Sequence, residues 1–366
     1  MKVLMQSRKN LFSSPGGDTI QMLKTKEYIE KLRIKVDISN ELEVDLKEYD
    51  LVHLFNLIRP QEVYLQTKNA KNQGKKIVLS PIYVSYVEYE RKARGGIVQL
   101  ISNILSKYSI EYLKIFIRGI KNKEFHKGTK KVLVKGYYKA LREIVKNVDI
   151  FLPNSESEMR RVKNDFNLKN PRYMVVPNAV DQKIFDYHNV KVEGLKQFEK
   201  CILCVGRIEG RKSQLNLVRA VKDLPYKLVF IGKPAPNHIK YYKKIKKEAG
   251  DNVIFKDYIP HHKLPQYYKA AKVHALISWM ETTGLSSLEA GIMGCNLVIT
   301  DKGDTKDYFS NYVYYCEPDS IESIREAIIK AHESSVNPKL REHILRNYTW
   351  ENTANKTLEA YKKILT

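Results

Sequence analysis

Short apolar runs alternate with helix-like segments along the chain, and this rhythm restarts halfway. In the first half, the runs that predict buried strands are Lys2–Gln6, Ile34–Ile38, Leu51–Phe55, Lys76–Ser80, Val148–Leu152 and Tyr173–Val176. The second series comprises Lys200–Val205, Lys227–Ile231, Val253–Phe255, Val273–Ile277 and Cys295–Thr300. Strands that alternate with helices predict βαβ units around a parallel sheet. Two successive series therefore predict an α/β protein with two Rossmann-like domains facing a cleft.

The boundary between the two domains is expected near Pro177–Asp181, where a polar stretch without a clear period begins. We therefore assign residues 1–177 to a first domain and residues 178–349 to a second domain. The last helical pattern, residues 350–366, has no strand after it. A helix in that position can pack back on the first domain, and we expect it to do so.

Residues 95–147 interrupt the alternation with a basic helical insert. From Lys107 to Lys146 there are twelve Lys or Arg and three Glu, interleaved with aromatic and aliphatic residues at helical spacing. A basic amphipathic helix can lie on an anionic membrane surface. The alternative is an insertion with a core-facing apolar stripe and a solvated basic face. The pattern alone leaves both interpretations open.

The formal net charge of +23 indicates either an anionic partner or a large number of lysines that are simply exposed to solvent. The basic residues are spread over the whole chain, which favours solvated lysines for much of the excess. Cys201 and Cys204 form a C-x-x-C within a strand-like run, so their side chains face opposite sides of the sheet. We predict four buried structural thiols in a reducing, cytoplasmic setting, with neither a signal peptide nor a membrane span.

The most informative motif is ETTGLSSLE, from Glu281 to Glu289. It follows a buried strand and leads into a helix that starts near Leu285, so Gly284 and its neighbours present backbone amides at a helix N-terminus. Such amides, with the helix dipole, bind a diphosphate, and a glycine lets the ligand approach the backbone closely. Glu289 in the first turns of the helix can accept hydrogen bonds from ribose hydroxyls.

This segment resembles the E-x7-E signature of glycosyltransferase family 4, whose members are retaining enzymes with the two-domain GT-B fold. The matching positions are Glu281, Gly284, Leu285, Leu288, Glu289, Ala290, Gly294 and Val298. Thr283 replaces the usual aromatic residue and Asn296 the usual proline. The resemblance implies that Glu289 binds the nucleotide ribose, that Glu281 lies near the donor sugar and that Thr283, Gly284 and Leu285 line the donor site.

A second match lies in CILCVGRIEGRKSQ, which resembles the family pattern V-G-R-x-x-x-x-K-G. In the family, the Arg and Lys neutralise the donor diphosphate, which implies this role for Arg207, after the strand, and for Lys212, which we expect in the first turn of the next helix. A fork-shaped guanidinium and a flexible ammonium at a strand–helix turn suit a leaving group with two charges. The stretch is not a P-loop, because Arg211 occupies the position of the second glycine.

Weaker matches follow the family order over nearly the whole chain. They are Gly16–Gly17 after the first strand, VPNAVD (Val176–Asp181) at the domain boundary and LPNSESE (Leu152–Glu158) with a capping Ser155. The resemblance implies that Gly16 and Gly17 let the first loop approach the donor phosphate. It also implies that the backbone around Tyr258 and Ile259 holds the base.

The acceptor half of the site departs from the family pattern. Many members have a histidine at the end of a first-domain strand, but this chain has Ser80–Pro81–Ile82–Tyr83 there. His53 is on another strand, and we interpret it as a core histidine with satisfied hydrogen bonds. No Asp-x-Asp pair occurs in the chain. We therefore expect neither a metal nor a cofactor beside the sugar nucleotide, with Arg207 and Lys212 acting on the diphosphate.

The resemblance implies a retaining, metal-independent glycosyltransferase that moves a hexosyl unit from a nucleoside-diphosphate sugar, with UDP favoured over GDP as the nucleotide. It implies that residues 1–177 bind the acceptor and that residues 178–349 bind the sugar nucleotide. Glu281, Arg207 and Lys212 are the expected catalytic residues. The basic insert favours a saccharide or polyprenyl- or lipid-linked acceptor at the inner face of the cytoplasmic membrane, and thus cell-envelope polysaccharide or glycolipid synthesis. Two alternatives stay open: a GT-B epimerase or phosphorylase, and a nonenzymatic nucleic-acid-binding protein suggested by charge alone. The second lacks any nucleic-acid-binding signature in the sequence.

Overall fold

The computed structural model describes residues 1–95, 99, 102–121 and 124–366, and within them the chain forms two compact α/β units. The first unit comprises Met1–Val87, Gly96–Asn178 and Trp350–Thr366. The second comprises Glu88–Gly95 and Ala179–Thr349. Each unit is built on its own parallel sheet.

The strands of both sheets are short. They are β1 (Lys2–Gln6), β2 (Lys35–Ser39), β3 (Leu51–Phe55), β4 (Lys76–Ser80), β5 (Ile150–Phe151), β6 (Ile202–Val205), β7 (Leu228–Ile231), β8 (Val253–Lys256), β9 (Val273–Leu276), β10 (Asn296–Thr300) and β11 (Tyr314–Cys316). Each strand pair of either sheet is parallel.

Helices connect these strands. They are α1 (Gly17–Glu30), α2 (Pro60–Asn72), α3 (Val87–Lys92), α4 (Lys107–Lys121), α5 (Lys127–Lys135), α6 (Tyr137–Lys146), α7 (Glu156–Phe166), α8 (Gln214–Ala220), α9 (Ile239–Glu248), α10 (Leu264–Ala270), α11 (Leu285–Ile292), α12 (Thr305–Phe309), α13 (Ile321–Glu333), α14 (Pro338–Asn347) and α15 (Trp350–Leu365). No helix in the described ranges combines the length and apolar character needed to cross a bilayer.

The first sheet has the strand order β2-β1-β3-β4-β5. Every residue of β3 is buried, as expected for a central strand of a parallel sheet with both faces covered. From β1 to β2 the sheet grows towards one edge, and from β3 onward it grows towards the other, so the strand order reverses between β1 and β3. In open α/β sheets this reversal marks the crevice, beyond the carboxyl ends of the strands, where ligands bind.

The second sheet has the order β11-β10-β9-β6-β7-β8, the arrangement of a dinucleotide-binding Rossmann fold. Its reversal lies between β6 and β9. Side chains of β6 alternate between two hydrophobic clusters: Leu203 packs into one and Cys204 into the other. Cys201 joins the cluster of Leu203, so the two cysteines of the C-x-x-C face opposite sides. All four cysteines are buried free thiols, as predicted.

The C-terminal helix α15 belongs to the first unit, as predicted. The Thr353 hydroxyl donates a hydrogen bond to the Pro177 carbonyl (2.7 Å). On the same helix, the Tyr361 hydroxyl lies 2.7 Å from Nδ1 of His53. The two α/β units and the return of this helix confirm the predicted fold class.

Two local predictions were wrong. Tyr173–Val176 is not a strand, since only Tyr173 forms an isolated bridge, to Phe151. The segment is bracketed by Pro171 and Pro177, and prolines supply no amide hydrogen to a ladder. Lys212 does not lie in the first turn of a helix: it ends a short 3-10 turn, Gly210–Lys212, and α8 begins only at Gln214.

Candidate active site

The turn after β6 carries the predicted Arg207 and Lys212 at the reversal of the second sheet. Gly206 directly follows β6 with φ +141°, a conformation that favours glycine. The Lys212 ammonium lies over this glycine, with Nζ 2.9 Å from the position that a Cβ would take. The Arg207 side chain is exposed at the same end of β6.

The loop after β9 brings Glu281 to this turn. Oε1 of Glu281 accepts a hydrogen bond from the Ser278 hydroxyl (2.7 Å). The same oxygen lies 3.5 Å from a guanidinium nitrogen of Arg211 and 3.8 Å from Nζ of Lys212. Glu281 is fixed from the other side, because Asp304 N donates to its carbonyl (2.9 Å). The structure thus unites Glu281 and Lys212, which lie far apart in sequence.

Basic side chains outnumber acidic ones at the ends of β6 and β9, where the strand order of the second sheet reverses. Burial raises the pKa of Glu209, but the positive charges of Arg211, Lys212 and Arg207 outweigh this effect and hold that pKa below its usual value. Glu209 is itself ion-paired with Arg211 (2.6 Å). Three basic side chains within one turn, set against Glu209 and Glu281, leave a net positive charge that suits a diphosphate.

Helix α11 begins at Leu285, four residues after Glu281, and Gly284 is its N-cap. Gly284 has left-handed backbone angles (φ 74°, ψ 61°), which turn the loop into the helix. Its carbonyl accepts from the amides of Ser287 and Leu288 (2.8 and 3.1 Å). The earlier amides, including that of Leu285, have no intrahelical acceptor and can bind an anion. Thr283 is buried, with its hydroxyl 3.3 Å from that of Tyr308.

Glu289 lies one turn into α11 and is held by two side chains. Nε2 of His261 lies 2.8 Å from Oε1, and the fully buried Tyr268 hydroxyl donates to Oε2 (3.0 Å). Burial, and then the Glu289 charge, raise the pKa of Tyr268 far above its ordinary value, so it stays a donor. The Glu289 side chain is 13% exposed. It is a fixed acceptor with spare lone pairs for ribose hydroxyls.

Tyr258 and Ile259, the predicted base-holding residues, follow the end of β8. Tyr258 is 69% exposed and Ile259 is half-buried. Within the described ranges, no hydrogen bond or ring contact joins Tyr258 to the 281–289 segment. The assignment of both residues stays a prediction.

Gly16 and Gly17 lie in the first unit, at the entry to α1. Gly16 has extended backbone angles, and a Cβ on Gly17 would meet nothing within 4 Å, so the helix start is open. Next to them, the guanidinium of Arg8 binds both carboxylate oxygens of Asp18 (2.6 and 3.0 Å). Asn56, at the end of β3, also donates to Asp18 (2.9 Å). This network orders the loop that ends at Gly16.

His53 is a core residue. Its Nδ1 lies 2.7 Å from the Tyr361 hydroxyl and its Nε2 lies 2.9 Å from the Ser80 hydroxyl. Burial lowers its pKa to about 3, so the imidazole is neutral at physiological pH. The interpretation of His53 as a satisfied core histidine is confirmed. Ser155 caps α7 as predicted, accepting from Glu158 N (2.9 Å).

Sequence reasoning missed Arg211, His261 and Tyr268 as neighbours of the site. In the sequence, Arg211 is distinguished only by the P-loop pattern that it breaks. In a chain with 64 Lys and Arg, no single basic residue stands out. His261 and Tyr268 belong to a different strand–helix unit from Glu289. Only the folded sheet brings them together.

The second unit matches a known family over almost its whole length. Residues 188–349 match the family model described as Glycosyl transferases group 1. Among curated relatives, an uncharacterized glycosyltransferase of Methanocaldococcus jannaschii is 26% identical over 230 residues, 57% of this chain and 58% of that protein. The D-inositol 3-phosphate glycosyltransferase of Mycobacteroides abscessus is 27% identical over 172 residues, 44% of this chain and 39% of that protein. The matches thus span only about half the length of these relatives.

Solved structures resemble the chain over its full length. A sucrose-phosphate synthase from Thermosynechococcus elongatus superposes with a TM-score of 0.72 at 15% identity, covering 100% of this chain and 99% of the other. HepE of Anabaena, solved in complex with UDP-glucose, gives a TM-score of 0.68 at 14% identity, covering 99% and 100%. At such identities the likeness establishes the fold.

Proposed function

We propose that this chain, which has the GT-B fold and whose residues 188–349 match the family model of glycosyl transferases group 1, transfers a hexosyl unit from a nucleoside-diphosphate sugar. The anomeric configuration is retained and no metal takes part. The donor is a UDP-sugar. The acceptor is a saccharide or a lipid-linked saccharide at the cytoplasmic face of the membrane, in the synthesis of an envelope polysaccharide or glycolipid.

The convergence of Lys212 and Arg211 on Glu281 carries this proposal. Nucleotide-binding sheets bind their ligand where the strand order reverses, and these residues lie at the reversal between β6 and β9. A departing diphosphate needs positive charge and amide donors already in place, since preorganised donors stabilise developing charge without reorganisation. Arg207, Lys212 and the first-turn amides of α11 supply them.

Glu281 is assigned to the donor sugar rather than to nucleophilic attack. Its carboxylate is bonded by Ser278 and lies beside two cations, which lowers its nucleophilicity. When the diphosphate arrives, it competes for Lys212 and Arg211, and Glu281 is left to accept hydrogen bonds from sugar hydroxyls. The acceptor hydroxyl attacks from the face that the diphosphate leaves, and the leaving phosphate oxygen takes its proton.

The acceptor assignment rests on the surface of α4. Four large apolar side chains, Leu113, Phe116, Ile117 and Ile120, are 41, 47, 57 and 61% exposed. Their spacing places them along one face of the helix, and we call them the α4 stripe. The opposite face is packed, with Ile115 only 3% exposed. A core-facing stripe therefore does not account for all of the apolar residues of this helix.

Exposed basic side chains lie on α5 and α6, the two helices that follow α4 in the chain. Lys130, Lys131 and Lys139 are exposed, and no ion pair of theirs occurs within the described ranges. A basic residue near an anionic bilayer contributes about 1 kcal/mol of attraction, and the stripe can insert below the headgroups. The charge selects anionic lipid as the partner of this surface.

A donor screen tests the catalytic proposal. Purified protein is incubated with several UDP- and GDP-sugars, with and without saccharide acceptors, and released nucleotide is measured in the presence of EDTA. We expect release with one or more UDP-sugars, stimulated by acceptor, and a product whose anomeric proton coupling matches that of the donor. Turnover that needs no alcohol acceptor would favour an epimerase or phosphorylase instead. Salt-dependent oligonucleotide binding without nucleotide release would favour a nucleic-acid-binding protein.

Flotation with vesicles tests the membrane proposal. The protein is expected to float with phosphatidylglycerol vesicles and to stay behind with neutral phosphatidylcholine. Ile120→Ser combined with Phe116→Ser should reduce flotation. Ile239→Ser is the matched control, since Ile239 is 43% exposed on α9 of the second unit. Equal flotation of the stripe variant and the control would remove the α4 stripe from the membrane contact.

A further inference from the structure

A segment from the first half of the chain is built into the donor site of the second unit. Residues Glu88–Gly95, which include most of α3, pack with the second unit although stretches of the first unit precede and follow them in sequence. We call them the 88–95 arm. The arm is braced internally, because Arg94 donates to the buried Glu90 carboxylate (3.0 Å). No family motif in the sequence includes it.

The arm lies against the turn that carries Arg211 and Lys212. The Tyr89 hydroxyl is so close to Gly210 that a Cβ on this glycine would lie 2.6 Å from it, with the ring carbon behind it at 3.6 Å. Gly210 begins the 3-10 turn, and its amide donates to Nδ1 of His238 (3.2 Å). Tyr89 therefore closes one side of the turn and His238 another.

The same arm contacts the two other loops of the site. The Tyr89 and Trp279 rings lie 6.4 Å apart, and Nζ of Lys92 lies 5.9 Å from the Trp279 ring. Trp279 precedes Glu281 by two residues, and its amide donates to the Arg211 carbonyl (2.8 Å). The rings thus connect the arm to the loop after β9 beside the turn.

The third contact is an ion pair with the loop after β10. Glu88 lies 3.2 Å from Nζ of Lys302. Lys302 precedes Gly303, which is packed so closely against Glu281 that a Cβ there would lie 2.1 Å from the Glu281 carbonyl oxygen. The arm therefore touches all three loops that fix Glu281, Arg211 and Lys212.

We propose that the 88–95 arm is a positioning element for the donor diphosphate and that Tyr89 is its principal positioning residue. It holds the turn at Gly210 so that Arg211 and Lys212 are preorganised before the nucleotide binds. The identity of the ligand rests on the proposed function, whereas the ordering of the turn does not. Preorganisation of this kind increases affinity, because less freedom is lost on binding.

A steric rescue tests the contact. Gly210→Ala places a methyl group against the Tyr89 hydroxyl, whereas in a Tyr89→Phe background the nearest arm atom is the ring carbon at 3.6 Å, an ordinary contact. We expect Gly210→Ala to speed amide hydrogen exchange in residues 206–213 at least fivefold and to raise the Kd for UDP at least fivefold. In the double variant, Gly210→Ala with Tyr89→Phe, the exchange rate and the Kd for UDP should both lie within about twofold of the values for Tyr89→Phe alone.

The ion pair gives a second test. Glu88→Gln and Lys302→Met should each raise the Kd for UDP severalfold. The double variant should raise this Kd no further than either single change, because each change alone already breaks the ion pair. Glu359→Gln removes an exposed ion pair with Lys363 on α15 and serves as the control, with an unchanged Kd. The thermal midpoint is measured for every variant.

The outcomes separate this inference from the proposed function. If Gly210→Ala leaves exchange in 206–213 unchanged, or if Tyr89→Phe fails to rescue it, the positioning role is wrong even where the wild type binds UDP. If the wild type binds no nucleotide, the proposed function fails, and hydrogen exchange still decides whether the arm orders the turn.

Discussion

Removal of the Glu289 carboxylate should weaken nucleotide binding by an amount that its surroundings set. In the structure, Oε1 lies 2.8 Å from Nε2 of His261 and Oε2 accepts from Tyr268 at 3.0 Å. Both partners hold the carboxylate in place, so little order has to be gained when ribose hydroxyls donate to it. Hydrogen bonds to a charged acceptor contribute about 1.5–3 kcal/mol, against about 0.5–1.5 for neutral pairs.

Two substitutions of Glu289, by Gln and by Ala, should therefore weaken nucleotide binding to different extents. Glu289→Gln keeps one acceptor oxygen but loses the charge, which predicts a loss of about 1–1.5 kcal/mol, or roughly a 5- to 13-fold increase in the Kd for UDP. Glu289→Ala loses every bond to the ribose, which predicts about 3 kcal/mol, or roughly 150-fold. It also leaves the buried Tyr268 hydroxyl unpaired, so its thermal midpoint should fall.

Isothermal titration with UDP measures these losses. Tyr268→Phe is the matched control, because it retains the carboxylate and removes only one of its two supports, so the Kd should rise by less than in Glu289→Gln. Uridine retains the ribose but lacks the diphosphate. Where its Kd is measurable, Glu289→Ala should raise the Kd for uridine by the same factor as the Kd for UDP. An unchanged UDP affinity in Glu289→Ala would refute the ribose assignment.

Three further expectations concern charge, backbone and pH. Lys212→Met should raise the Kd for UDP at least tenfold in low salt while changing that for uridine little, because it removes a charge that only the diphosphate uses; equal losses for both ligands would contradict this. Gly303→Ala must displace the Glu281 carbonyl and adopt φ +82°, so we expect about 1–3 kcal/mol of destabilisation in urea melts together with impaired nucleotide binding. Burial lowers the pKa of His53 from its usual 6.5 to about 3 in the folded state, so on acidification the unfolded chain takes up a proton that the folded chain does not. The stabilisation is fully present above pH 6.5 and is lost as the pH falls towards 3. The contribution of His53 to the unfolding free energy should drop by about 2 kcal/mol between pH 7 and pH 5, so the drop measured for His53→Gln should be smaller than that of the wild type by about this amount.

The fold could be predicted because it depends on local patterns. Buried parallel strands such as β3 are continuous apolar runs, and the restart at Lys200 marks a second sheet without reference to any contact. Where the prediction was wrong, local context outweighed the apolar pattern. Val175 and Val176 resemble a strand, but two flanking prolines limit that segment to the single bridge at Tyr173.

The candidate site could be predicted only in part. Glu281, Gly284 and Glu289 share one motif, and the geometry of a strand–loop–helix unit follows from their spacing. The partners of these residues come from other units of the sheet. Arg211 approaches Glu281 only because β6 and β9 are neighbours in space, and that adjacency is a property of the topology.

The 88–95 arm illustrates the same limit from the opposite direction. Its residues have no pattern that distinguishes them from any other amphipathic turn, and their position in sequence assigns them to the first domain. Tyr89 nevertheless packs on Gly210 and Glu88 pairs with Lys302, both within the second unit. A donor site made only from group 1 motifs would omit this segment. We therefore expect donor affinity in this chain to depend on residues outside the matched range 188–349, a dependence that a truncated second domain would lack.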